Sequence, residues 1–142
     1  MGVVLKLKPQ KLLNIQLPLF SSSVAAGFPS PAEDYIEGSL DLNEHLIKHP
    51  AATFFVKVSG DSMVGAGIFD GDLLVVDRAL EAKNDSIVLA VVNGEFTVKR
   101  LRKIKNKITL LPENPKHRPI EITDGMDFAV WGVVAHVIHT FK

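Results

Sequence analysis

The chain has no cysteine. That absence excludes disulfides, thiolate nucleophiles, thioredoxin-like redox motifs and cysteine-ligated zinc, and it fits a cytoplasmic protein. Also missing is any run of about 18 apolar residues, so no membrane span is expected. There is no internal repeat and no low-complexity tract. Net charge is absent as well: sixteen Lys and Arg balance sixteen Asp and Glu. The global electrostatic signature of a nucleic-acid or membrane binder is therefore lacking.

What charge there is lies unevenly. Before Gly27 the charged residues are Lys6, Lys8 and Lys11, leaving 13 basic against 16 acidic residues in the remainder. Those lysines precede a partly apolar stretch, and Val24-Ala25-Ala26 satisfies a small-residue cleavage pattern, the outline of a signal peptide. Asn14, Gln16 and Pro18 break the stretch, so secretion is not expected. Residues 1–38 read instead as an extended arm. Pro9, Pro18, Pro29 and Pro31, with Ser21-Ser22-Ser23 between them, deny it a long helix. Residues 39–142 read as the body, large enough to bury a core.

Asp41–Lys48 reads as a short helix, with Asp41 as N-cap, Glu44 three residues on and Pro50 beyond the end. From Thr53 the signal turns to strands. Thr53–Val58 is β-branched and aromatic, and Leu73–Val76 follows an Asp70-Gly71-Asp72 turn. Ile87–Val92 and Glu95–Leu101 flank Asn93-Gly94, the strongest short hairpin signal. Ile108–Leu111 closes at Pro112, and Phe128–Phe141 is long and apolar, with Gly132 marking a bend or bulge. Short hairpin-linked strands and hardly any helix define a mostly β, compact fold with an N-terminal arm.

Two residues carry candidate chemistry. Ser62, in Ser59-Gly60-Asp61-Ser62-Met63, follows a strand, where a hydroxyl can be exposed beside backbone N–H groups that face a developing oxyanion. Taken alone, the same residues read more readily as a Gly-Asp turn with a serine cap. Lys99, in Gly94-Glu95-Phe96-Thr97-Val98-Lys99, shares a strand face with Thr97 and Leu101. A doubly buried strand would take its ammonium out of water. The competing reading is that it opens a solvated basic edge with Arg100, Arg102, Lys103, Lys105 and Lys107.

Other signals carry less. His45 and His49, spaced i, i+4 on the short helix, lack the glutamate placement of a zinc-protease helix, and His117, His136 and His139 complete no obvious site, so no metal or cofactor is expected. The basic run lacks interleaved aromatics. There is no helix-turn-helix pattern, and the 26 residues through Ala26 are too few for a repressor's DNA-binding domain. Sequence-specific DNA binding is not expected.

Taken in order, Ser62 in Ser-Gly-Asp-Ser-Met, the Asp70-Gly71-Asp72-Leu73 turn and Lys99 in Gly-Glu-Phe-Thr-Val-Lys resemble the LexA/UmuD family of self-cleaving proteins. Gly27-Phe28-Pro29-Ser30-Pro31-Ala32, Asp34-Tyr35 and Asp41-Leu42-Asn43 look like its UmuD branch. The resemblance implies a LexA/UmuD C-terminal-like fold and a serine–lysine dyad, Ser62 and Lys99. It also implies self-cleavage at a small residue followed by glycine, here Ala26–Gly27. Many UmuD proteins carry Cys-Gly at that bond, and Ala-Gly is the LexA-type form. By the same resemblance the setting is the SOS response, with cleavage stimulated by a RecA filament on single-stranded DNA. The product would be a homodimer joining a UmuC-like Y-family polymerase in error-prone translesion synthesis, with the replication sliding clamp as a further partner. The rival is a non-catalytic dimeric accessory protein of a polymerase, its dyad vestigial.

Overall fold

The computed structural model describes residues 15–20, 26–27 and 36–141. Lys6, Lys8, Lys11, the serine run, Val24, Ala25 and the Phe28–Tyr35 motif lie outside them. The chain divides into two compact units, one of Val3–Lys48 and one whose main span is His49–Lys142.

In the smaller unit, β1 (Leu17–Phe20) pairs antiparallel with β2 (Ile36–Leu40), Leu17 facing Leu40 and Leu19 facing Gly38. Pro18 hid this strand from a reading by pattern. A two-stranded ribbon tolerates it, because a strand with one neighbour leaves alternate N–H groups unused. Helix α1 (Leu42–Leu46) begins as expected, the Asp41 carboxylate accepting the Asn43 N–H at 3.0 Å. It stops earlier than Lys48, since Ile47 is already extended and Pro50 drives the residue before it out of helical conformation. His49 therefore lies beyond the helix, and the His45/His49 face does not exist. His49 Nδ1 instead meets the Asp77 carboxylate at 2.6 Å.

The larger unit is one antiparallel sheet. Its strands lie side by side in the order β3 (Thr53–Lys57), β4 (Leu73–Asp77), β9 (Phe128–Ile138), β5 (Ile87–Val92), β6 (Glu95–Ile104), β7 (Lys107–Leu111) and β8 (Ile120–Ile122). Asn93 and Gly94, with φ of 49° and 82°, close the β5–β6 hairpin. A second two-residue turn, Lys105-Asn106 with φ of 49° and 65°, closes β6–β7 and carries β6 three residues past the expected Leu101. Without a glycine, that turn announces itself poorly. Gly132 sits at the anticipated bulge: Leu89 pairs with Gly132 and Ala90 with Val130, so Trp131 is the extra residue. A Cβ on Gly132 would lie 2.6 Å from Val76 Cγ1, so β4 and β9 meet here only because the side chain is missing. Strand β9 ends at Ile138 rather than Phe141, because His139 turns to the buried Asp72, Nδ1 to Oδ1 2.5 Å.

Two apolar clusters flank the sheet. Phe54, Met63, Ile68, Leu74, Val76 and Leu89 form one. Val88, Ala90, Leu101, Leu110 and Val133 form the other. Strand β5 feeds both by simple alternation, so the centre of the sheet is buried on both faces.

Asp77, 4% exposed, is the charged residue most enclosed by these strands' ends besides Asp72. Burial alone would raise its pKa. The hydrogen bonds from His49 and from the Ala79 N–H outweigh that and hold it below the ordinary 3.8. A depressed carboxylate stabilises the fold above its unfolded pKa, and that contribution is lost as pH falls through the folded value. Asp77→Asn is thus expected to lower the unfolding midpoint at pH 7, with the gap to the parent closing below about pH 3.8; thermal melts from pH 7 to pH 2.5 check it.

Candidate active site

Where β3 ends, the chain is pinned to the turn before β4. The Val58 N–H donates to Asp72 O and the Gly71 N–H to Val58 O, both at 2.8 Å. Gly60 adopts φ +95°, open to glycine but strained for other residues, and its N–H donates to Asp70 Oδ1 at 2.8 Å. The Asp70-Gly71-Asp72 segment read from the sequence as a turn thus also fixes the loop that carries the serine. One residue past Ser62, Met63 is 3% exposed and packs in the cluster with Phe54 and Leu74. A buried anchor on one side and a fixed glycine on the other leave Ser62 half-buried between them.

Lys99 lies on β6 opposite the fully buried Val88. It is 9% exposed, so the strand carries its amine inward rather than along a solvated edge. Nζ lies 3.0 Å from Ser62 Oγ, 2.8 Å from Thr97 Oγ1 and 3.2 Å from the Val98 carbonyl oxygen. Among the described residues no carboxylate stands within ion-pair distance of it. Desolvation without a counter-charge disfavours the ammonium, and burial pushes the Lys99 pKa below that of an ordinary lysine. The two side chains meet in a cleft of about 240 Å³ between the end of β3 and the start of β6, walled by Val56, Val58, Leu89, Phe96 and Val98. Polar groups from Lys57, Ser59, Ser62, Thr97 and Lys99 share its lining with these apolar walls.

Ser86, the other serine considered, accepts the Lys83 N–H in a turn, and Ser59 borders the cleft without reaching Lys99. Ala26 and Gly27 form an exposed bend in the smaller unit, and a Cβ on Gly27 would meet nothing within 4 Å. Among the described residues no three His, Asp or Glu gather as metal ligands, and no helix is long and apolar enough to cross a membrane.

One set of contacts escaped the sequence reading. The Glu113 N–H donates to Ser62 O and the Gly65 N–H to Glu113 O, both at 2.8 Å. Asn114 Nδ2 donates to Asp61 O at 2.9 Å, and His117 Nε2 lies 2.6 Å from Asp61 Oδ1. That histidine bond holds the exposed Asp61 carboxyl below the usual value. These partners are some fifty residues apart in sequence and follow no period, so no local pattern marks them.

A β-rich unit with a buried lysine against a loop serine defines a peptidase-type architecture, and the chain's relatives agree. Residues 18–135 match the Peptidase S24-like family. Protein ImpA of Escherichia coli is 48% identical over 130 residues, covering 86% of this chain and 83% of its own. Protein MucA of Escherichia coli is 45% identical over 122 residues, 84% of this chain and 82% of its own. The LexA repressor of Bordetella parapertussis is 42% identical over 129 residues, 91% of this chain but 59% of its own. The chain belongs to the Peptidase S24-like family, the LexA/UmuD family of serine-peptidase type, and is a UmuD-like member of it.

Proposed function

We propose that the chain cuts itself between Ala26 and Gly27, with Ser62 as nucleophile and Lys99 as general base. The observation that carries this reading is the 3.0 Å approach of Lys99 Nζ to Ser62 Oγ on a buried lysine. A free lysine, with a pKa of about 10.4, is neutral in only about one molecule in 2,500 at pH 7, so a working base must be desolvated. A neutral amine in this geometry donates its two hydrogens to Thr97 Oγ1 and the Val98 carbonyl. Its lone pair then faces the Ser62 hydroxyl.

From there the chemistry is that of an activated serine. Lys99 takes the Ser62 proton as Oγ attacks the Ala26 carbonyl carbon. The Ser62 backbone N–H, without an acceptor among the described residues, is free to donate to the oxyanion. The ammonium returns its proton to the departing Gly27 amine, leaving Ala26 esterified to Ser62. Water, deprotonated by the same lysine, hydrolyses the ester. Glycine after the bond suits a sharp turn of the arm and a close approach to the serine.

On this reading residues 1–38 are an arm bearing the bond and residues 39–142 the catalytic and dimerising body. The UmuD-like membership makes the SOS response the setting. A RecA filament on single-stranded DNA favours the docked arm. The fragment from Gly27 forms a cytoplasmic homodimer that serves a UmuC-like polymerase, with the sliding clamp as a further contact. Fixing a chain segment in the cleft costs conformational entropy, so cutting without the filament is slow.

The test is incubation of the purified chain from pH 7 to pH 10.5 with intact-mass detection. A fragment beginning at Gly27, appearing faster as pH rises until Lys99 is fully neutral, supports the reading. An intact chain both at pH 10 and with a RecA filament would leave the dyad vestigial and the protein a binding partner only.

A further inference from the structure

Glu113 touches both halves of the candidate dyad's framework without touching the side chains of Ser62 or Lys99. Its backbone N–H donates to the carbonyl of Ser62 and its carbonyl accepts the Gly65 N–H, each at 2.8 Å, so the nucleophile's turn is hydrogen-bonded on both sides of Met63 to this one residue. Its carboxylate takes the Arg100 Nε–H at 2.5 Å. Arg100 is the residue after Lys99 on β6, and its other arm donates to the Asp85 carbonyl at 2.6 Å. Gly65 allows the approach: a Cβ there would stand 2.6 Å from the Glu113 carbonyl oxygen.

We infer that Glu113 is a positioning residue that sets the separation of Ser62 and Lys99, its backbone holding the turn of one and its carboxylate the strand of the other. The inference rests on the proposed cleavage. The physical case is one of tolerance. Proton transfer needs the two heavy atoms within about 3 Å, and a misplacement of about 1 Å costs roughly a hundredfold in rate. Met63 and Gly60 anchor the turn to β3 and β4, and the ladder anchors β6 to β5. Packing around Met63 also reaches Leu89, Phe96 and Val98, but apolar contacts are non-directional. Glu113 adds directional hydrogen bonds to both the serine turn and the residue after Lys99. An ion pair of half-buried groups suffices because its task is alignment rather than stability, to which such pairs add little.

The experiment compares the full chain with Glu113→Ala, Glu113→Gln, Arg100→Ala, the Arg100→Ala/Glu113→Ala double variant and Gly65→Ala. Two readouts are taken: the alkaline cutting rate, and the Lys99 titration midpoint from the 13Cε chemical shift of labelled lysine. Expected are cutting slowed about tenfold or more in Glu113→Ala and Gly65→Ala, partial rescue in Glu113→Gln, and a double variant no slower than the slower single one. The Lys99 midpoint should rise in Glu113→Ala and Gly65→Ala as the turn retreats and water reaches Nζ. Unchanged rates and midpoints in variants that melt like the parent overturn the inference. So does a rate loss that tracks melting temperature with the midpoint fixed, the mark of a merely structural role. Should the parent itself not cut, the proposed function fails, yet the Lys99 midpoints still decide whether Glu113 seals the pair.

Discussion

Lys99→Ala is expected to lose the Gly27 fragment while the chain stays folded. Removing a general base costs about 10²–10⁴ in rate, and a reaction already slow without its stimulus falls below detection. The fold should survive because Lys99 has no ion-pair partner among the described residues to strand; its removal leaves two hydroxyls and one carbonyl at the edge of an open cleft. Lys99→Arg sharpens the point. A guanidinium keeps the charge and length but never yields its proton in this pH range, so cutting is lost there too. Ser62→Ala should behave alike by removing the attacking oxygen. Mass spectra over a day at pH 10, beside melting curves of each variant, check all three. Cutting retained in Lys99→Ala or Ser62→Ala would remove that residue from the mechanism.

Leu74→Ala is expected to cost roughly 2–5 kcal/mol of stability. Leu74 is fully buried and packs with Phe54, Met63, Ile68, Val76 and Leu89. For a unit of this size that lowers Tm by well over about 8 °C. Ile104→Ala, on a residue 56% exposed, should stay within about 0.5 kcal/mol. Urea titration distinguishes the two, with a shifted midpoint at constant slope as the sign of lost packing. The loss should reach the chemistry as well, because the cavity opens beside Met63, the neighbour of Ser62.

Much of this was legible in the sequence, and the reason differs from element to element. Strands β3 to β7 and β9 announce themselves because their side chains are apolar and β-branched and their turns carry Asp-Gly, Asn-Gly or proline. Ser62 and Lys99 were legible only together: each alone is outweighed by an ordinary turn or a basic edge. What decides for Lys99 is that β6 lies against the doubly buried β5, a fact of strand order that no window of residues contains. Strand β1 was missed because Pro18 looks like a breaker, and β8 because three residues carry too little pattern. The Lys105-Asn106 turn was missed for want of glycine. The contacts of Glu113, Asn114 and His117 with the serine turn had no local signal, since a hydrogen bond between backbones fifty residues apart leaves nothing in either segment to read. The two ends of the expected Phe128–Phe141 strand differ for a concrete reason: His139 gains a buried carboxylate by leaving the ladder.

The isolation of Lys99 from any carboxylate among the described residues has one more consequence. Its pKa is lowered by exclusion of water and not by a neighbouring charge. Counter-ions weaken interactions between charges, reaching about 8 Å at physiological ionic strength, and here they find no partner charge to screen. On the proposed reading the base therefore keeps its readiness whether the surrounding solution is dilute or saline, and salt acts instead on the exposed ion pairs and on what delivers the arm.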